Sequence, residues 1–207
     1  MNVAIVDYGM GNLGSVSGAL TGLGAQATIV QHPRELAGAD RLILPGVGSF
    51  AEGMAHLCEH GWFAAIRAEV QTGKPLLGIC LGMHLLATRG TEGGDVAGLD
   101  LIPGEVRRLD TLGCGERIPH VGWNSVRPLS QAGGLLAGIP DGTDFYFVHS
   151  YAFRVAQESD VLASANYGVP FSAVLGRGHV FGTQFHPEKS SRAGFRLLRN
   201  FLDLETC

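Results

Sequence analysis

The chain opens on a short apolar run ending in an acid, NVAIVD at residues 2–7. Similar runs return at 27–31 (ATIVQ), 41–45 (RLILP) and 75–79 (PLLGI). Each is too short for a helix, and most of its positions are apolar rather than alternating. That pattern predicts strands buried on both faces. The segments between them repeat their apolar residues at helical spacing. Helices are predicted over about 12–22, over 50–72 with a break near Gly61, and over 81–88. Strand and helix in alternation form βαβ units, which make a parallel sheet.

The pattern changes after Gly90. Short runs follow at 104–109, 123–128, 144–149, 151–156, 161–166, 171–176 and 178–185, with turn residues between them. This half is strand-rich and partly antiparallel. A final amphipathic helix is predicted over 191–203. Phe195, Leu198 and Leu202 fall on one face of it, with Arg192, Arg196 and Arg199 on another. No repeat and no linker divides the chain. The expectation is one α/β domain over 1–207, with a central, mostly parallel but mixed sheet flanked by helices.

Composition narrows the function classes. Of 207 residues, 31 are glycine, about twice the usual share, which suits a sheet enzyme with sites built on loops. The net charge is −4, and lysine and arginine do not cluster among aromatics, which argues against nucleic acid as the main ligand. No apolar run reaches the roughly 18 residues of a membrane span, and the N-terminus has no basic leader. Cys58, Cys80, Cys114 and Cys207 include no CxxC pair, and a disulfide framework is not indicated. A reducing cytoplasm is the expected compartment.

Two motifs are decoys. GMGNLG at 9–14 is a literal dinucleotide fingerprint after a strand, but the acid expected about 20 residues on is missing; Gln31 and His32 stand there. HLCEH at 56–60 puts His56 and His60 on one helix face, yet Cys58 points away and no third ligand is near, so a solvated face is expected.

The chemistry centres on GICLG at 78–82. A strand turning into a helix through Gly-x-nucleophile-x-Gly forms a sharp elbow. That elbow holds its side chain at the carboxyl end of the sheet, where α/β sites lie. The N-terminus of the following helix, at Leu81 and Gly82, favours a thiolate and offers N–H donors. Cys80 is the candidate nucleophile. Of the eight histidines, His186 in QFHPEKS has an acid two residues on, and in an extended segment His186 and Glu188 would point the same way. They make a base and its orienter. PGVG at 45–48 follows the third strand and could supply oxyanion N–H groups.

PGVGSF, GICLGMHLL and GTQFHPEKS together resemble the class I, triad-type glutamine amidotransferases. DYGMGN, PHVGWN and FVHSY narrow the resemblance to the glutaminase subunits of imidazole glycerol phosphate synthases, which serve histidine biosynthesis. The resemblance covers essentially the whole chain. It implies a single-domain amidotransferase fold and a heterodimer with a (β/α)₈-barrel cyclase. Within it, Cys80 would attack the glutamine amide, with His186 as proton shuttle and Glu188 as orienter. Val47, Gly48 and Leu81 would serve the oxyanion. Gly46, His84, Ser150 and Tyr151 would bind substrate, and Asn12, Trp123, Asn124 and Lys189 would face the cyclase. No metal, cofactor, membrane or nucleic acid is implied. One position departs: His84 stands where the family usually has glutamine, one helical turn beyond Cys80, and its charge would vary with pH. Three alternatives remain: a glutaminase subunit of another synthase, a non-catalytic partner-binding scaffold of the same fold, and a nucleotide-binding oxidoreductase resting on GMGNLG alone.

Overall fold

A computed structural model describes residues 1–130 and 133–204. Its first half alternates β1 (Asn2–Val6), α1 (Leu13–Gly22), β2 (Gln26–Val30), β3 (Arg41–Leu44), α2 (Phe50–Glu59), α3 (Trp62–Gln71), β4 (Leu76–Ile79) and α4 (Leu81–Leu85). Two minimal strands follow, β5 (Arg89–Gly90) and β6 (Val96–Ala97), then β7 (Gly104–Arg108) and β8 (His120–Pro128). The chain continues through β9 (Thr143–His149), β10 (Tyr151–Val155), β11 (Val161–Tyr167), β12 (Val169–Arg177), β13 (Val180–Thr183) and α5 (Ser191–Asp203).

One nine-stranded sheet runs in the order β2-β1-β3-β4-β13-β12-β11-β8-β9, and a second of four strands in the order β10-β7-β5-β6. β2, β1, β3, β4 and β13 are parallel neighbours. From β13 outward every pairing is antiparallel. The sheet is therefore evenly mixed, and β13 is the late strand that joins its parallel half to its antiparallel half.

The continuous apolar runs have a direct cause. Val3 and Ile5 of β1 pack into a core with Val16 and Leu20 of α1 and Leu197, Leu198 and Phe201 of α5. Ala4 and Val6 of the same strand pack into a second core with Met54 of α2 and Trp62 and Ile66 of α3. Side chains alternate across a strand, so burial on both faces demands apolar residues at every position.

Several details differ from the sequence pattern. α4 stops at Leu85: the Leu86 carbonyl accepts from Leu101 N at 2.9 Å and Ile102 N at 3.1 Å, and the chain bends to lay Thr88–Gly90 beside β7. The strands at 89–90 and 96–97 carried no readable signal. The buried face of α5 is Gly194, Leu197, Leu198, Phe201 and Leu202; Phe195 lies off it and is exposed. GMGNLG, by contrast, agrees with its reading as a decoy: it is a strand-to-helix turn in which Asn12 caps α1, its Oδ1 accepting from Ser15 N at 3.4 Å. His56 is not on a bare face: its Nδ1 donates to Tyr8 O at 2.9 Å and its ring lies edge-on to His60. Among the described residues no cluster of ligands suits a metal ion, and no helix is long and apolar enough to cross a membrane. Cys58, Cys80 and Cys114 are free thiols; Cys207 lies outside the described residues.

Candidate active site

β4 ends against Cys80, whose backbone takes φ 55° and ψ −110°. A side chain in that region is strained and persists only where its surroundings hold it. Two contacts do so: Cys80 N donates to Thr183 O of β13 at 2.7 Å, and Cys80 O accepts from His84 N at 3.1 Å. The glycines of GICLG are there because backbone meets backbone. A Cβ on Gly82 would fall 1.7 Å from Leu44 O, and one on Gly78 would fall 2.6 Å from Gly82 O. The turn thus drives α4 hard against β3 and β4 and leaves the thiol at the sheet's carboxyl end.

His186 arrives from β13. Its N–H donates to Tyr146 O at 3.0 Å, and its carbonyl accepts from Ser190 Oγ at 2.6 Å. The segment is not extended as the sequence pattern suggested. Pro187–Lys189 form a 3₁₀ turn, since proline's fixed φ suits its first position. That turn still joins the pair: His186 Nδ1 donates to Glu188 Oε1 at 2.8 Å, with both side chains buried. His186 Nε2, the nitrogen left over, has no hydrogen-bond partner among the described residues. The Cys80 thiol leans instead towards Val148 O, at 3.8 Å. Burial opposes a charge on His186, but the nearby Cys80 and the bonded Glu188 outweigh it and push the ring up to about 9. Glu188 holds the firmer contact.

These groups share a cavity of about 280 Å³. Its wall includes Cys80, Leu81, His84, Val47, Gly48, Ser150, Tyr151 and His186. Gly48 sits at φ 117°, a conformation that favours glycine, and Val47 is exposed. Glu188 stands behind His186 rather than in the wall. Gly46 also lies outside it, packed against the Tyr8 hydroxyl, Leu81 and Gly82. That Tyr8 hydroxyl is buried with no hydrogen-bond partner among the described residues; burial, then the charge of Cys80, push its pKa up. Trp123, Asn12 and Lys189 are exposed, whereas Asn124 is half-buried with its amide tied to Asn166 O at 2.8 Å.

His84 corrects the sequence reading. It is buried, and its Nε2 donates to Gln184 Oε1 at 2.8 Å. Burial pulls it down to about 4, against a weaker upward pull from that bond. It is therefore a neutral donor near pH 7, not a variable charge. The wall also contains Glu92, Pro119 and His149, which motif spacing did not single out for the site. Burial raises Glu92, and its carboxylate accepts from Phe50 N at 3.0 Å. Glu92 sits in a glycine-rich loop with no motif around it, so no local pattern could have marked it.

The arrangement is a thiol and an imidazole on one concavity, with a carboxylate bonded to the imidazole from behind. A family model described as class-I glutamine amidotransferase matches residues 4–204. The chain is 52% identical to the imidazole glycerol phosphate synthase subunit HisH of Moorella thermoacetica, over 98% of this chain and 94% of that protein. It is 47% identical to subunit HisH 1 of Campylobacter jejuni, over 98% and 100%. A solved structure titled as a glutamine amidotransferase superposes with a TM-score of 0.76 at 24% identity, covering 97% of each chain. PurLQS from Thermotoga maritima superposes at 0.77 with 16% identity, over 98% of this chain and 97% of that one, a likeness of fold. With the family model covering nearly the whole length and these relatives matching end to end, the chain belongs to the class I glutamine amidotransferase family.

Proposed function

We propose that the chain is the glutaminase subunit of an imidazole glycerol phosphate synthase, acting in the cytoplasm as one domain beside a cyclase subunit. It hydrolyses glutamine to glutamate and ammonia. The cyclase uses that ammonia to make imidazole glycerol phosphate and an aminoimidazole carboxamide ribotide in histidine biosynthesis. The observation that carries the chemistry is Cys80 in its strained turn, on one cavity with the His186–Glu188 pair. Near-complete coverage by relatives of that name supports the pathway.

The chemistry runs in two halves. His186, raised to about 9, holds the proton that the Cys80 thiol gives up, and Glu188 stabilises that imidazolium. The Cys80 sulfur attacks the side-chain amide carbon of glutamine. The charge that develops on oxygen meets backbone N–H groups of Leu81 and of the Val47–Gly48 loop. As the intermediate collapses, His186 returns its proton to the leaving nitrogen, and ammonia departs from a glutamyl thioester. Water, giving a proton to His186, then attacks that thioester and releases glutamate and the thiol. At the other end of the substrate, Glu92 offers a carboxylate to the α-ammonium, while Ser150 and Tyr151 form the rim.

The partner surface follows from β8 and β9. Val121 opposes Val148 and Trp123 opposes Tyr146 across this ladder. Val121, Trp123 and Val148 are exposed although large and apolar. Such a patch suits a protein partner, and Val148 O touches the thiol from the other side. Asn12 and Lys189 extend the docking face. The test is Cys80→Ala: glutamate release is lost, while the complex still makes its products from added ammonia. Near wild-type glutamate release by this variant would refute the assignment.

A further inference from the structure

A line of hydrogen-bonded side chains runs from β8 to the cavity rim, and the proposed chemistry makes no use of it. His120 and His149 are register partners across the β8–β9 ladder. His149 Nδ1 lies 2.8 Å from Tyr151 O. A carbonyl only accepts, so Nδ1 carries the proton. Both rings are buried, and burial pushes His120 down to about 4 and His149 to about 3. Each is neutral near pH 7 and holds one proton. His149 Nε2 is therefore bare, and His120 Nδ1, 2.9 Å away, must donate to it. His120 Nε2 is then bare in turn, with Asn124 Nδ2 at 3.4 Å. Two bonds orient that amide: Nδ2 donates to Asn166 O at 2.8 Å, and Oδ1 accepts from Ser125 N at 2.8 Å. The protons of both rings are thereby assigned, and along the line from Asn124 through His120 to His149 each donor points towards Tyr151.

We propose that His120 is a positioning residue for glutamine binding: by donating to His149 Nε2 it secures, together with the Tyr151 carbonyl, that ring's tautomer, and so holds the Ser150–Tyr151 turn at the cavity rim. The kinetic consequence rests on the glutaminase reading; the tautomer does not. Without the donor, His149 is free to carry its proton on Nε2, and its bare Nδ1 would then face Tyr151 O, lone pair against lone pair. The rim loses its tie while Cys80, His186 and Glu188 keep theirs. The effect belongs on substrate affinity rather than on turnover.

The slot of His120 permits a clean test. Its ring stacks on Tyr167, centroids 4.0 Å apart, and on Phe147 at 5.1 Å. His120→Phe keeps that stacking and removes the donor. His120→Asn keeps an N–H near the place of Nδ1. The full-length chain with ¹⁵N-labelled histidine is examined by NMR near pH 7. The wild type should show His149 protonated at Nδ1, His120→Phe should move the proton to Nε2 in part or wholly, and His120→Asn should restore it. With the cyclase present, the glutamine KM of His120→Phe should rise about three- to tenfold, the scale of one lost hydrogen bond, with kcat within about twofold. His120→Asn should stay near wild type. An Nε2–H tautomer in the wild type overturns the proposal even if His120→Phe does not fold. So does an unchanged tautomer or KM in His120→Phe, or an equal rise of KM in both variants. A wild-type complex that releases no glutamate refutes the glutaminase reading instead, and the tautomers still decide the positioning.

Discussion

His186 is held on three sides: by Glu188 at Nδ1, by Tyr146 through its N–H and by Ser190 through its carbonyl. Replacing it with asparagine keeps the size of the Nδ1 half but removes the base at Nε2. Glutamate release should fall by about 10²–10⁴, the span of general acid–base help. Glu188→Gln should cost less, since the imidazole remains. Steady-state glutamate release by the two variants in the complex checks the order, and a milder loss in His186→Asn would reverse it. His84 makes a contrasting prediction. With its titration pulled down to about 4, it stays neutral across pH 6–8. The glutamine KM should therefore show no step near pH 6.5 that His84→Gln removes. Measuring KM against pH in both proteins is the check; a step abolished by the substitution would mean the ring is charged in that range.

At the scale of elements, the elbow between β4 and α4 depends on missing side chains. Gly82→Ala would put a methyl group 1.7 Å from Leu44 O, so α4 must move off β3. A loss of at least about 2 kcal/mol is expected, as for forced overpacking. Gly18 in α1 is the control. A Cβ there meets nothing within 4 Å, and its φ is not in the left-handed range. Gly18→Ala should raise stability by about 0.5–1 kcal/mol, through helix propensity and a less flexible unfolded chain. Urea unfolding of both variants tests this pair. Equal and small effects would show that the elbow relaxes more freely than its contacts imply.

For the whole molecule, the buried neutral histidines set the acid limit. His84, His120 and His149 all titrate well below the usual 6.5, chiefly through burial. Their folded values are depressed, so the unfolded chain binds more protons as pH falls below about 6.5. Stability is then lost on the acid side, between 6.5 and the folded values near 3–4. Near pH 5.5, unfolding should take up about two to three protons, given an unfolded histidine pKa of about 6.5. His186 acts in the opposite sense: its raised value adds stability below about 6.5 that fades as pH climbs through about 9. The free energy of urea unfolding measured from pH 8 to pH 5 tests the acid arm. A flat curve would mean that these rings charge inside the fold.

Local rules made much of this legible in the linear chain. A run such as RLIL is apolar at nearly every position because both faces of its strand are covered, and that requirement is written into the residues themselves. Glycines two residues either side of Cys80 announce a close turn, and a histidine two residues before an acid can meet it through a single turn. Other features depend on which distant segments meet. Phe195 sits at helical spacing with Leu198, yet α5 buries the stripe through Leu197 and Phe201, because the direction of docking and not the period chooses the face. Glu92 joins the cavity only because its loop folds back over the start of α2. The neutral state of His84, and the single-file protons of His120 and His149, come from burial by strands far away in sequence. Covalent neighbours set the shape of a strand or a turn; dielectric surroundings and hydrogen-bond partners, which decide protonation, exist only once the sheet has closed.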